Sequence, residues 1–213
     1  MARRRPPSAP SSNRPRSSSF SLARGFSALE LLFIVALMGT VCGIAVPPAL
    51  NAIDHVRAVG AARYVSTRLQ RARMEAVTRS ADVGVRFSQT ASGYVFAVYV
   101  DGNGNGVSSR DIVRGVDWRL GSVECLADTF GGVEFGTLPG LPPVDAGGAP
   151  PGADPIHLGV SNTATFTAGG TSSTGSVYIR GRGRRQYVVR IYGDTGKTRV
   201  LEFEHATRRW KPL

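Results

Sequence analysis

The pattern of hydrophobic and polar positions changes character twice along the chain. From Leu31 to Val46, sixteen residues (LLFIVALMGTVCGIAV) run without a charge and stop at Pro47-Pro48. A helix from Phe26 to about Ala49 is just long enough to span a bilayer. The two prolines are expected to kink or interrupt it. Beyond them Ile53, Val56, Val59, Ala62, Val65, Leu69, Ala72 and Ala76 recur at steps of three and four, with Arg57, Arg68, Arg71, Glu75 and Arg79 largely between. This spacing predicts an amphipathic helix to about Arg79, its apolar stripe on a folded domain and its basic face solvated.

After Arg79 the period shortens to that of strands. VGVRF and GYVFAVYV carry β-branched and aromatic residues and flank SQTAS, a hairpin signal. Weaker strands are expected at Ile112–Asp117, Val133–Phe135 and Thr163–Thr167, and the strongest close the chain as GSVYIR, QYVVRIYG and TRVLEFE. The stretch 137–155, TLPGLPPVDAGGAPPGADP, reads as a Pro/Gly-rich surface loop rather than a linker between domains. The expected fold is α+β: a long N-terminal hydrophobic and amphipathic helix packed on an antiparallel β-sheet domain.

Composition divides the 213 residues the same way. Residues 1–25 form a Ser/Pro/Arg tract with six arginines and no acid, a span 26–48 is apolar, and 49–213 has the composition of a globular domain. The net charge of +11 is uneven. From Phe26 onward 20 basic residues face 15 acidic ones, giving +5; residues 180–213 alone carry +7, and 26–179 carries −2. The basic character of the chain from Phe26 onward is thus concentrated at its C-terminal end. Cys42 lies in the apolar run and Cys125 stands alone in the domain, so no disulfide forms within it and no zinc spacing exists.

Three readings of the apolar run compete. A secretory signal peptide requires a short apolar core before an A-x-A site, and AVPPALNA offers none. A plain anchor fits the length, and the arginines ahead of it place the N-terminus in the cytoplasm. That reading gives no reason for Glu30, a carboxylate at the edge of hydrocarbon, nor for the abrupt change at Gly25. The stretch GFSALELLFIV resembles the N-terminus of type IV prepilins and type II secretion pseudopilins. The resemblance implies that a prepilin peptidase cuts after Gly25 and methylates the new N-terminal Phe26. It also implies that Glu30 is retained for assembly, where the charged amine of a neighbouring subunit's Phe26 offsets the cost of the buried carboxylate.

The closing strands, GTSSTGSVYIRGRGRRQYVVRIYGDTGKTRVLEF, resemble those of the family shared by pseudopilin H and the minor pilin FimT. DNA-binding FimT-type pilins carry a G-R-x-R pattern near the C-terminus. Here G-R-G-R at 181–184 matches by letters, and G-K-T-R at 196–199 matches by position. Arg182, Arg184, Lys197 and Arg199 are therefore candidate phosphate contacts, expected to form one patch on a shared sheet edge. The plainer reading is a basic rim that keeps the domain soluble or meets a neighbouring subunit. DGNGNGVSSRD opens like a calcium loop, with Asp101, Asn103 and Asn105 as oxygen donors. Ile112 stands where the bidentate acid belongs, so an ordinary Gly/Asn loop is the simpler reading, and no metal is expected.

Catalysis is excluded on inventory: the three histidines are scattered, and no G-x-S-x-G, phosphate-binding loop or paired strand carboxylates appear. No cofactor is expected. The resemblance implies a single-pass inner-membrane subunit with a periplasmic domain, whose partners are the prepilin peptidase, the membrane and other major and minor pilin or pseudopilin subunits. The leading expectation is a minor, pseudopilin H-like structural subunit of a type II secretion pseudopilus; the alternatives are a FimT-like minor pilin that binds DNA for uptake and a plain membrane-anchored binding module.

Overall fold

The computed structural model describes residues 25–213. Of the expected leader only Gly25 is among them; its six arginines lie outside the described residues. The chain divides into two compact units, Met1–Ile44 and Ala45–Leu213. Helix α1 covers Ala28–Arg79 with Pro47 and Pro48 inside it. The expected interruption does not occur, because two missing amide donors remove only two of the many bonds of a helix flanked on both sides by Leu, Ala and Val.

In the second unit the stripe that α1 buries is Ala58, Ala61, Ala62, Val65, Leu69, Ala72 and Ala76. Mostly alanine, it lets the sheets approach closely. Ile53 and Val56, expected on the stripe, are exposed. Full burial on the helix begins only at Ala58, where Gly181 sits so close that an added Cβ would meet the Ala58 Cβ at 2.7 Å.

Two antiparallel sheets follow. The first has order β3-β2-β1-β6, with β1 at Val83–Thr90, β2 at Gly93–Val100, β3 at Trp118–Cys125 and β6 at Thr163–Phe166. The β1–β2 hairpin is tighter than expected, with Thr90 paired to Gly93 across the two-residue turn Ala91-Ser92. The second sheet has order β10-β9-β8-β7-β4, built from β4 (Glu134–Phe135), β7 (Gly175–Arg180), β8 (Gln186–Tyr192), β9 (Lys197–Glu204) and β10 (Arg209–Pro212), with β5 (Ile156–His157) also paired to β7.

Residues 112–117, expected as a strand, instead contribute to helix α2, Ser109–Arg114, and the turn after it. Local capping overrides their β-branched character: the Ser108 hydroxyl accepts the Asp111 amide, and Gly115 closes the helix in the left-handed region at φ 73°. Strand β3 and the short strand β10 lacked a clear alternating signal and were not expected. The four-residue helix α3, Leu126–Thr129, joins β3 to β4.

The core joins the α1 stripe to both sheets, with Phe87 and Phe135 edge-to-face at 5.3 Å and Phe96 edge-on to Phe135 at 6.0 Å. Strand β8 is buried on both faces. Tyr187, Val189 and Ile191 face the main core, while Val188 joins Tyr178 and Leu201 in a second cluster with Val144 and Trp210. The Pro/Gly-rich stretch 137–155 therefore covers the outer face of the second sheet, with the Trp210 indole donating to the Pro142 carbonyl at 3.1 Å.

Leu69 is wholly buried on the α1 stripe. Leu69→Ala is expected to destabilise the domain by about 2–5 kcal/mol, measured by denaturant unfolding of the detergent-solubilised chain. Exposed Val56→Ala is expected to leave the midpoint close to that of the parent chain.

Candidate functional site

At the start of α1, Phe26 is exposed and Glu30 falls in the first helical turn. Glu30 is exposed and forms no ion pair among the described residues. A carboxylate there complements the partial positive charge of the helix N-terminus. The helix that follows is long and apolar enough to cross a membrane.

The basic residues of the second sheet separate into two groups. The β7–β8 turn carries Arg182 and Arg184, and the β8–β9 turn leads into Lys197 and Arg199. In an antiparallel ladder these turns lie at opposite ends of β8, a seven-residue strand, hence roughly 20 Å apart. The four residues do not form the single patch expected of them.

Helix α1 anchors both ends. At one, the Arg185 guanidinium donates to the Asn51 carbonyl at 3.2 Å and to His55 Nδ1 at 3.0 Å. The Tyr187 hydroxyl lies 3.2 Å from that same nitrogen and donates to Glu202 at 2.9 Å. Burial and the Glu202 carboxylate push the Tyr187 phenol well above its ordinary range. At the other end Ser66 bonds Thr198 at 2.7 Å, and the Gln70 amide donates to the Gly196 carbonyl and the Thr198 hydroxyl, both at 3.1 Å.

The β7–β8 end gains residues that the sequence pattern did not connect with it. The β9–β10 turn returns to this end, bringing His205 and Arg208 beside Arg184. His205 Nε2–H donates to the Arg184 carbonyl at 2.7 Å, and Arg208 donates to the Gly140 carbonyl at 3.3 Å. They share a cleft of about 710 Å³ whose apolar lining includes Leu138 and Phe203. Arg182, Arg184 and Arg208 are exposed and enter no ion pair among the described residues. Arg180, Arg190 and Lys211 of the same sheet are paired with Glu134, Asp145 and Glu204. Only the return of β10 along β9 reveals this grouping.

In the segment 101–117, Asp101 and Asp117 bind backbone amides. Asp101 accepts the amides of Asn103 at 3.0 Å, Gly104 at 2.9 Å and Gly106 at 2.7 Å. Buried Asp117 accepts those of Gly102 at 3.2 Å and Ser108 at 2.9 Å. Asn103 accepts the Asn105 amide at 3.2 Å, and the Asn105 side chain donates to Asp111 at 3.3 Å. Hydrogen bonds from Ser108 and Asn105 hold the Asp111 carboxyl below the usual carboxylate range. Among the described residues no group of three or more His, Cys, Asp or Glu is placed to hold a metal ion.

Residues 61–195 match the family described as type II transport protein GspH. The chain is also similar to the pilin-like protein PilA1 of Thermus thermophilus, at 40% identity over 86 residues, which is 38% of this chain and 51% of that protein. The chain thus spans about half the length of that curated relative. No solved structure matches the chain.

The separation of the basic turns sets an expectation for nucleic acid. Titration of the detergent-solubilised chain with duplex DNA across a series of low salt concentrations is expected to give a log–log slope no steeper than about −2.7, the value for three phosphates at one end. A slope of about −4.5, the value for five phosphates, that flattens in Lys197→Gln/Arg199→Gln would instead mean that DNA bridges both ends.

Proposed function

From its membership of the family of type II transport protein GspH, we propose that the chain is a minor pseudopilin of a type II protein secretion system. In this reading it is a structural subunit of a periplasmic pseudopilus, held in the inner membrane by the apolar part of α1 until assembly. The observation that carries the proposal is the placement of Gly25, Phe26 and Glu30 at the head of that helix. A prepilin peptidase would cut between Gly25 and Phe26 and methylate the new amine. Glu30 is exposed in the single chain, and in this reading a neighbour's amine would neutralise it.

The physical division of labour supports the reading. The exposed side chains of Leu29, Leu32, Phe33 and Val35 give the apolar helix a surface suited to lipid before assembly and to other helices afterwards. Pairing Glu30 with one amine sets the axial register, because a carboxylate in hydrocarbon is tolerated only where its counter-charge lies. The second unit presents its loops and sheet edges to other pilin or pseudopilin subunits. A DNA-uptake minor pilin is the second reading, favoured by the exposed, unneutralised Arg182 and Arg184.

Processing is tested by mass spectrometry of the membrane-extracted protein, which is expected to begin at a methylated Phe26. A mature chain starting elsewhere refutes the pilin-type maturation. Glu30→Ala is expected to insert and be processed while losing co-purification with partner subunits and secretion. Glu30→Gln should fail in the same way, since it keeps the shape and removes the charge. Full assembly of either variant would overturn the pairing argument.

A further inference from the structure

The basic end of the second sheet lies against the stretch of α1 by which the chain enters the domain. Arg185 grips Asn51 and His55, and Gly181 abuts Ala58. This end carries Arg182, Arg184 and Arg208, exposed and without ion pairs among the described residues, together with His205. Clustered like charges repel, and no carboxylate among the described residues meets any of these three arginines, whereas Arg180, Arg190 and Lys211 of the same sheet are paired, so this group is suited to an anionic partner outside the chain.

A second observation specifies the partner. On α1, next to the helix residues that Arg185 holds, Val46, Leu50 and Ile53 recur at steps of four and three and are 49%, 57% and 46% exposed. The sheets do not cover them, since burial of α1 begins only at Ala58. Val46 closes the apolar run that ends at Pro47-Pro48, and from there to Asn51 five residues of chain span at most roughly 18 Å. Apolar side chains suited to the acyl boundary and guanidinium groups suited to phosphate thus lie within one short reach.

We infer that the basic end formed by Arg182, Arg184 and Arg208 is a docking surface for anionic phospholipid headgroups of the membrane that the apolar part of α1 enters. The inference rests on the membrane anchoring proposed above. Guanidinium groups bind phosphate oxygens in pairs, and basic residues close to an anionic leaflet are drawn to its surface potential. A nucleic-acid partner would satisfy the arginines but leave Val46, Leu50 and Ile53 against water. A bilayer satisfies both sets at once. Such docking would hold the domain down on the membrane until the subunit is drawn into a filament, and it assigns the two ends of the sheet different roles.

The test uses the full chain in lipid nanodiscs of phosphatidylcholine alone or of phosphatidylcholine with phosphatidylglycerol, with amide hydrogen exchange as the readout. Exchange at residues 182–184 and 205–208 is expected to be on the order of ten-fold slower in the anionic discs, with the β8–β9 turn at 193–196 unchanged. The slowing should vanish in Arg182→Gln/Arg184→Gln/Arg208→Gln, with unchanged protection of β8 showing that the fold is intact. It should also collapse in the parent chain at about 1 M salt, where the screening length falls to about 3 Å, so the result does not depend on the variant folding. Equal exchange in the two lipids would overturn the inference and leave the anchoring intact. A chain that does not enter the discs would overturn the anchoring and this inference together. Protection of the same turns by duplex DNA but not by phosphatidylglycerol would assign the site to nucleic acid and likewise overturn it.

Discussion

The close seam between α1 and the second sheet is the constraint on which the rest of the domain depends. Alanines at 58, 61, 62, 72 and 76 bring the helix near the sheet, and Val65 and Leu69 fill the centre. Polar contacts then fasten the seam at both ends of β8, through Arg185 with Asn51 and His55 at one and Ser66 and Gln70 with Thr198 at the other. Apolar packing holds the two surfaces together without direction, whereas these hydrogen bonds set how far along the helix the sheet sits. That axial position leaves Ile53 and Val56 uncovered and brings the β7–β8 turn to the segment where the chain enters the domain.

The same seam determines how the charges can act. Arg68 and Tyr64 on α1 both meet Glu124 of β3, so the helix is tied to the first sheet as well and the two sheets share one core. Arg68, Arg180, Arg190 and Lys211 are matched by carboxylates within this framework. Arg182, Arg184 and Arg208 on the turns beyond it enter no ion pair among the described residues. The net positive charge of the C-terminal part is therefore a sum over groups with different roles, and residues such as Arg182, Arg184 and Arg208 are available to a partner whereas Arg180, Arg190 and Lys211 are paired.

Much of the architecture was legible in the sequence because its causes are local. The charge-free run, the three-and-four spacing to Ala76 and the β-branched strands at 83–100 and 175–204 each follow from the residues that form them. Membership of the pilin-like family was legible for a similar reason, since GFSALE concentrates a helix start and a carboxylate in six residues. Where local signals conflicted, the sequence reading failed. Ile112, Val113 and Val116 suggested a strand, yet the Ser108 cap and Gly115 made a helix. Trp118–Cys125 carries Arg119, Gly121 and Glu124 among its apolar residues, and it is a strand because β2 offers it an edge to pair with.

By itself the sequence determined the element types, the apolar segment and its lone carboxylate, and the bias of basic residues toward the C-terminus. The tertiary structure alone decided which of those basic residues are neighbours. Residue spacing along the chain cannot give that, because strand pairing reverses direction at every turn. Lys197 is nearer to Arg184 in sequence than Arg208 is, yet β8 holds Lys197 at the far end of the sheet, and the β9–β10 turn returns Arg208 to the cleft that Arg184 lines.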